Sequence, residues 1–136
     1  MTIVEICVED AVGVHRARDG GADRIEICTD LSCGGLTPAF DEVVAALEVA
    51  PTGGVQVLVR PRPGNFVHTR EEVDRIASDI VTLSAIGEGA PVRLGFVVGV
   101  LNGDGTINVD AAARLRDTAE DAPLTFHLSL IHISAP

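Results

Sequence analysis

The sequence predicts an α/β fold of parallel strands wound as a barrel, and three observations carry that expectation. First, β-branched apolar runs alternate with single amphipathic stretches four times, and a fifth run follows; this order produces βα units and a parallel sheet. Second, one face of these runs is polar, with Glu5, Arg24, Glu26, Gln56 and Arg60, then Thr125 and His127 in the fifth. A doubly wound sheet meets helices on both faces and needs both apolar, so a polar face favours a barrel interior. Third, Glu9-Asp10-Ala11-Val12-Gly13 after the first run lacks the glycine pattern that cradles a dinucleotide phosphate.

The elements follow in order. A first strand spans roughly 2–8, with a helix over 10–19. A second strand covers 24–28, and the helix after it is expected to be capped by Thr37 and opened by Pro38. A third strand covers 55–60. Thr69 and Glu72 then stand at capping-box spacing, Ile76, Ile80 and Leu83 recur at helical spacing, and Gly87 is placed to stop the helix. A fourth strand covers 92–100, a helix covers 110–119, and a fifth strand covers 124–127. The result is a partial (β/α)8 TIM-type barrel of four βα units plus one strand.

Bulk chemistry excludes several functions. The chain has 136 residues, 46% of them hydrophobic, which suffices for one core. Ten Lys and Arg against twenty Asp and Glu give a net charge of -10, with few aromatics, so neither nucleic acid nor an anionic membrane is an expected partner. The start, MTIVEICVED, has no basic leader, and no apolar stretch approaches a membrane span, which points to the cytoplasm. The three cysteines, Cys7, Cys28 and Cys33, form no CxxC pair and leave one over, so reduced thiols are expected.

One repeat stands out: Glu5-Ile6-Cys7 in the first strand returns as Glu26-Ile27-Cys28 in the second. Alternation on a strand places Glu5 and Cys7 on one face and Val4, Ile6 and Val8 on the other, and it opposes Glu26 and Cys28 to Ile25 and Ile27; Val4, Ile6, Ile25 and Ile27 are expected to pack under helices. Further motifs are Gly21-Ala22-Asp23-Arg24, Gly34-Gly35-Leu36-Thr37-Pro38, Arg60-Pro61-Arg62 with Gly64-Asn65-Phe66, Gly99-Val100-Leu101 with Asp104-Gly105, and Thr125-Phe126-His127. In this order they resemble the CutC family, the so-called copper homeostasis proteins. The resemblance covers residues 1–127 and implies the N-terminal part of a (β/α)8 barrel, a cytoplasmic and often oligomeric protein, and a connection with copper. A complete barrel takes about 250 residues, so about three βα units are missing. Residues 128–136 depart from the family's continuation and read as foreign or out-of-frame sequence, which also removes His132 from any site.

Two candidate sites result, each with a plainer alternative. Cys7 and Cys28 end their strands on the same face, where neighbouring strands lie about 4.8 Å apart. They are expected either to fill the core as small apolar groups or to bind Cu(I), with His127 as a possible third donor. Arg60 and Arg62 lie at the C-terminal face, where barrel enzymes keep their sites, and guanidinium forks suit anions. With Glu5 they are expected to bind a small anionic molecule, with Glu26 and His127 as catalytic base and acid; the alternative is a structural ion-pair network. Three functions follow: a Cu(I)-binding homeostasis protein, a barrel enzyme acting on a small anionic metabolite, or an inactive truncated fragment. A homo-oligomer is expected throughout, since a chain that stops after its fifth strand leaves the first and fifth strands as open edges. Asn102-Gly103-Asp104-Gly105-Thr106 mimics a calcium loop but has Ile107 and Ala113 where an EF-hand needs Gly and Glu, so it is a turn.

Overall fold

The structure is a computed structural model, and it describes residues 2–126. Five parallel strands, β1 (Glu5–Val8), β2 (Arg24–Ile27), β3 (Val55–Leu58), β4 (Leu94–Val98) and β5 (Leu124–Phe126), form one sheet in the order β1-β2-β3-β4-β5. The helices between them are α1 (Ala11–Asp19), α2 (Phe40–Val49), α3 (Arg70–Gly87) and α4 (Val109–Ala119). Strands that neighbour in space in strict sequence order are the winding of a barrel; a doubly wound sheet reverses its order at a switch point.

Alternation explains the layering. Ile25, Ile27, Val55, Val57, Leu94, Phe96 and Val98 face the helices and join Val14, Val43, Leu47, Ile76, Ile80, Leu83 and Leu115 in one apolar core. The opposite face carries a second, smaller cluster of Cys28, Leu58 and Val97. With the helices on one side of the sheet, the other side is the interior of a partial barrel, as its polar residues led us to expect.

Local chemistry sets the helix ends. The Asp10 carboxylate accepts from the Gly13 N–H at 2.7 Å and caps α1. At α3, Thr69 Oγ1 accepts from the Glu72 N–H while Glu72 Oε1 accepts from the Thr69 N–H, the reciprocal capping box expected from the spacing.

Two expectations are corrected. Thr37 does not cap α2: its hydroxyl accepts from the Arg60 N–H at 2.8 Å and donates to the Arg60 carbonyl at 3.1 Å, tying the end of β3. The α2 cap position is Ala39, without a side-chain cap, and Asp41 and Glu42 complement the helix dipole instead. Val4 and Ile6 do not pack under helices; they stay 46% and 39% exposed. Among the described residues β1 is an edge strand, and of its helix-side residues Val8 reaches the core.

Candidate functional site

The interior face is built in levels by the strand register. Glu5 stands across from Arg24, and one level up Cys7, Glu26, Gln56 and Gly95 form a row across four strands. Above that row lie Leu58, Val97 and Thr125, with Cys28 packed against the first two.

Two thiols meet here. Cys7 Sγ lies 3.7 Å from Cys28 Sγ, with Cys7 exposed on the edge strand and Cys28 1% exposed. The fit around Cys28 requires a glycine: Gly35 adopts φ +97°, and a Cβ there would stand 2.9 Å from Leu58 Cδ2 and 3.2 Å from Cys28 Sγ. The hydrogen bond between the thiols acts oppositely on its two members. It lowers the Cys7 pKa against burial and the charges of Glu26, Glu5 and Glu9, and with burial it pushes Cys28 up. Of the two, Cys7 is thus the thiol that ionises more readily.

Carboxylates surround the thiols. Glu5 forms an ion pair with Arg24 across the β1–β2 edge. Glu26 is partly buried, and its pKa is raised to about 7 by burial first and by the Glu5 charge second. Its neighbour in register, Gln56, is buried with Oε1 lacking a hydrogen-bond partner.

The arginines occupy another level. Glu5 aligns with Arg24, and Ile25 aligns with Val55, so Arg60 lies six residues beyond Glu5's level, about 20 Å along the strand direction. Arg60 is 4% exposed; Nη1 donates to the carbonyls of Cys33 (3.1 Å) and Gly35 (2.8 Å), and Nη2 donates to that of Gly64 (2.7 Å). Its guanidinium also lies 5.2 Å from the Phe66 ring centroid. It thereby fastens the loop after β2 to the loop after β3. Arg62 pairs with Glu72 and donates to the carbonyls of Asn65 and Val67. The Arg62 and Thr69 bonds hold the Glu72 carboxyl at about 2.

The structure thus brings Cys7, Cys28, Glu5 and Glu26 together on β1 and β2, and Arg60 and Arg62 in the loops beyond β3. His127, the tail 128–136 and His132 lie outside the described residues. Among the described residues, no group of three or more His, Cys, Asp or Glu side chains is placed to hold a metal ion. Cys33 stands apart, its thiol donating to the Asp30 carbonyl at 3.2 Å.

One residue escaped the sequence reading. The His68 side chain is 1% exposed, edge-on to Phe66, and neither ring nitrogen makes a well-formed hydrogen bond. Burial lowers its pKa, Arg62 and Arg60 add to this, and Glu72 and the Gly99 backbone oppose it. The available signal was its position just before the capping box, which habitually packs inward.

The sequence model of the CutC family matches residues 2–136. A family protein CutC of Agrobacterium fabrum is 40% identical over 127 residues, 92% of this chain and 47% of that protein. One from Aliivibrio fischeri is 37% identical over 129 residues, 93% of this chain and 50% of that protein. A crystal structure from Streptococcus agalactiae, whose name describes a copper homeostasis protein CutC, superposes with a TM-score of 0.80 at 28% identity, covering 93% of this chain and 59% of that one. The chain spans about half the length of the curated relatives it matches. No helix among the described residues is long and apolar enough to cross a membrane.

Proposed function

This chain belongs to the CutC family, and on that footing we propose that it handles copper in the cytoplasm by binding Cu(I) between the sulfurs of Cys7 and Cys28. The observation that carries this reading is the 3.7 Å separation of the two Sγ atoms. Taking a Zn–S bond of about 2.3 Å as the scale, two such bonds span up to about 4.6 Å, so one ion can bridge both sulfurs. Two soft donors suit Cu(I) better than a hard cation. The contact with Cys28 lowers the pKa of exposed Cys7, the side from which an ion arrives. Copper would supply only its affinity for sulfur, and the chain supplies the paired thiols and the Gly35 and Leu58 wall behind Cys28. His127 is the candidate third donor.

The test is anaerobic Cu(I) titration against a chromogenic competitor. The chain should bind one Cu(I), and Cys7→Ser and Cys28→Ser should each weaken binding at least tenfold. Unchanged affinity in both variants returns the thiols to core packing.

A second reading keeps the same barrel face for a small metabolite, with Glu26 and His127 as acid and base; Arg60 and Arg62, expected beside Glu5 as anion-site residues, are held instead by the loops beyond β3. It is favoured by the buried, unpartnered Gln56 Oε1 beside Glu26, an acceptor that a ligand hydroxyl or amine would satisfy. Turnover of small phosphorylated or carboxylated compounds that disappears in Glu26→Gln, with Cu(I) affinity unchanged, would favour it over copper handling.

A further inference from the structure

The two thiols also have the arrangement of a redox pair. Cys7 is exposed on an edge strand and Cys28 is buried behind it, so an oxidant meets one sulfur while the other waits 3.7 Å away. A disulfide needs about 2.05 Å between sulfurs, a closure of about 1.6 Å. The two sides of the gap differ in freedom. Cys28 is held against Leu58, Val97 and the Gly35 backbone, whereas β1 pairs on one side only among the described residues, so Cys7 can make the movement. The third thiol, Cys33, is bonded to its own loop at Asp30.

We propose that Cys7 and Cys28 form a reversible dithiol–disulfide couple that closes on exposure to a peroxide. The Cys7 sulfur attacks one peroxide oxygen; an S–O bond forms, the O–O bond breaks, and the leaving hydroxide takes up the Cys7 proton as water. The Cys28 sulfur then attacks the Cys7 sulfur; the S–S bond forms, the S–O bond breaks, and the departing hydroxide takes the Cys28 proton as water. Two thiols are oxidised, one peroxide is reduced, and a dithiol reductant reverses the change. The couple rests on the thiol geometry alone. Its consequence, that closure removes both sulfur donors and releases a bound soft ion, rests on the copper reading.

The test uses the 136-residue chain carrying Cys33→Ser, reduced, freed of reductant and treated with a small excess of hydrogen peroxide. The expected product is a single chain, not covalently joined to another, lighter by about 2 Da, with no alkylatable thiol after unfolding, a tryptic peptide joining Cys7 to Cys28, and full recovery in dithiothreitol. Adding Cys28→Ser should instead leave Cys7 as a sulfenic acid, heavier by about 16 Da. A gain of 16 or about 32 Da on Cys7 in the two-thiol chain, with Cys28 still alkylatable, or a disulfide between chains, would overturn the couple. Closure together with negligible Cu(I) binding by the reduced chain would sink the copper reading and leave the couple standing.

Discussion

Gly95 lies directly across from Gln56 on the neighbouring strand, and a Cβ at Gly95 would stand 2.6 Å from Gln56 Oε1 and 2.8 Å from the Pro123 carbonyl oxygen. The missing side chain on β4 is therefore what admits an amide into the interior row of Cys7, Glu26 and Gln56. Gly95→Ala should destabilise the chain by about 1–3 kcal/mol, as overpacking does. Because Pro123 is backbone and cannot retreat, Gln56→Ala should recover only part of that loss. Urea unfolding of both single variants and the double variant measures the coupling, and strict additivity would mean the amide and the glycine do not constrain each other.

Arg60 gives a second prediction. Its guanidinium serves three carbonyls from two loops, so Arg60→Ala strands them and should cost roughly 3 kcal/mol or more. Arg60→Lys should recover little, since a point donor cannot span a planar fork's three partners. Stability within 0.5 kcal/mol of wild type, on the order expected of a surface change, would show that the loops hold without it.

Arg60 also shows how far the sequence could be read. Its type and place after β3 were legible, as were the five strands and four α-helices of the described residues, because β-branched runs and helical spacing state them directly, whereas the 3-10 turn at Leu31–Cys33 was not. The meeting of Cys7 and Cys28 was legible through the repeated Glu-Ile-Cys and the parity of a strand. What the guanidinium touches was not, since its partners are carbonyls of loops folded back from residues 33, 35 and 64, and no pattern in side-chain type reports a carbonyl's direction. The Thr37 expectation failed for the same reason: a hydroxyl beside a helix start caps only if nothing nearer claims it, and the Arg60 backbone does. Parity gave Glu5 and Arg60 one face but not one level.

The pH dependence of stability should contain opposing contributions. His68 has a lowered pKa in the fold, so the unfolded chain binds more protons below its ordinary value of about 6.5; its contribution is present above that value and is lost as pH falls. Glu26 is raised from 4.5 to about 7, so the folded chain holds the extra proton there, and stability falls as pH rises between those values. Glu26→Gln should make stability climb more steeply from pH 5 to 7, and His68→Gln should make it decline, each by at most about 1.4 kcal/mol per pH unit. Below these windows Glu72, held at about 2, adds a loss as pH falls from its ordinary value toward that one. Denaturation midpoints at half-unit pH steps test this, and identical slopes in wild type and both variants would sink the assignment.

The last prediction concerns association. β1 pairs on one side only among the described residues, and it presents Ile6 at 39% exposure with Val4 at 46% and Ile3 at 59% just before it. An unpaired edge with apolar side chains invites another chain. The 136-residue chain should therefore sediment as an oligomer at micromolar concentration. Ile6→Lys should shift it toward monomer, because a lysine on the edge keeps its charge in water and opposes a second apolar edge. The substitution removes a partly exposed side chain, so helicity should persist while mass falls. A compact wild-type monomer with one sharp, concentration-independent unfolding transition would show that the edge is protected in solution, and the association argument would then fail.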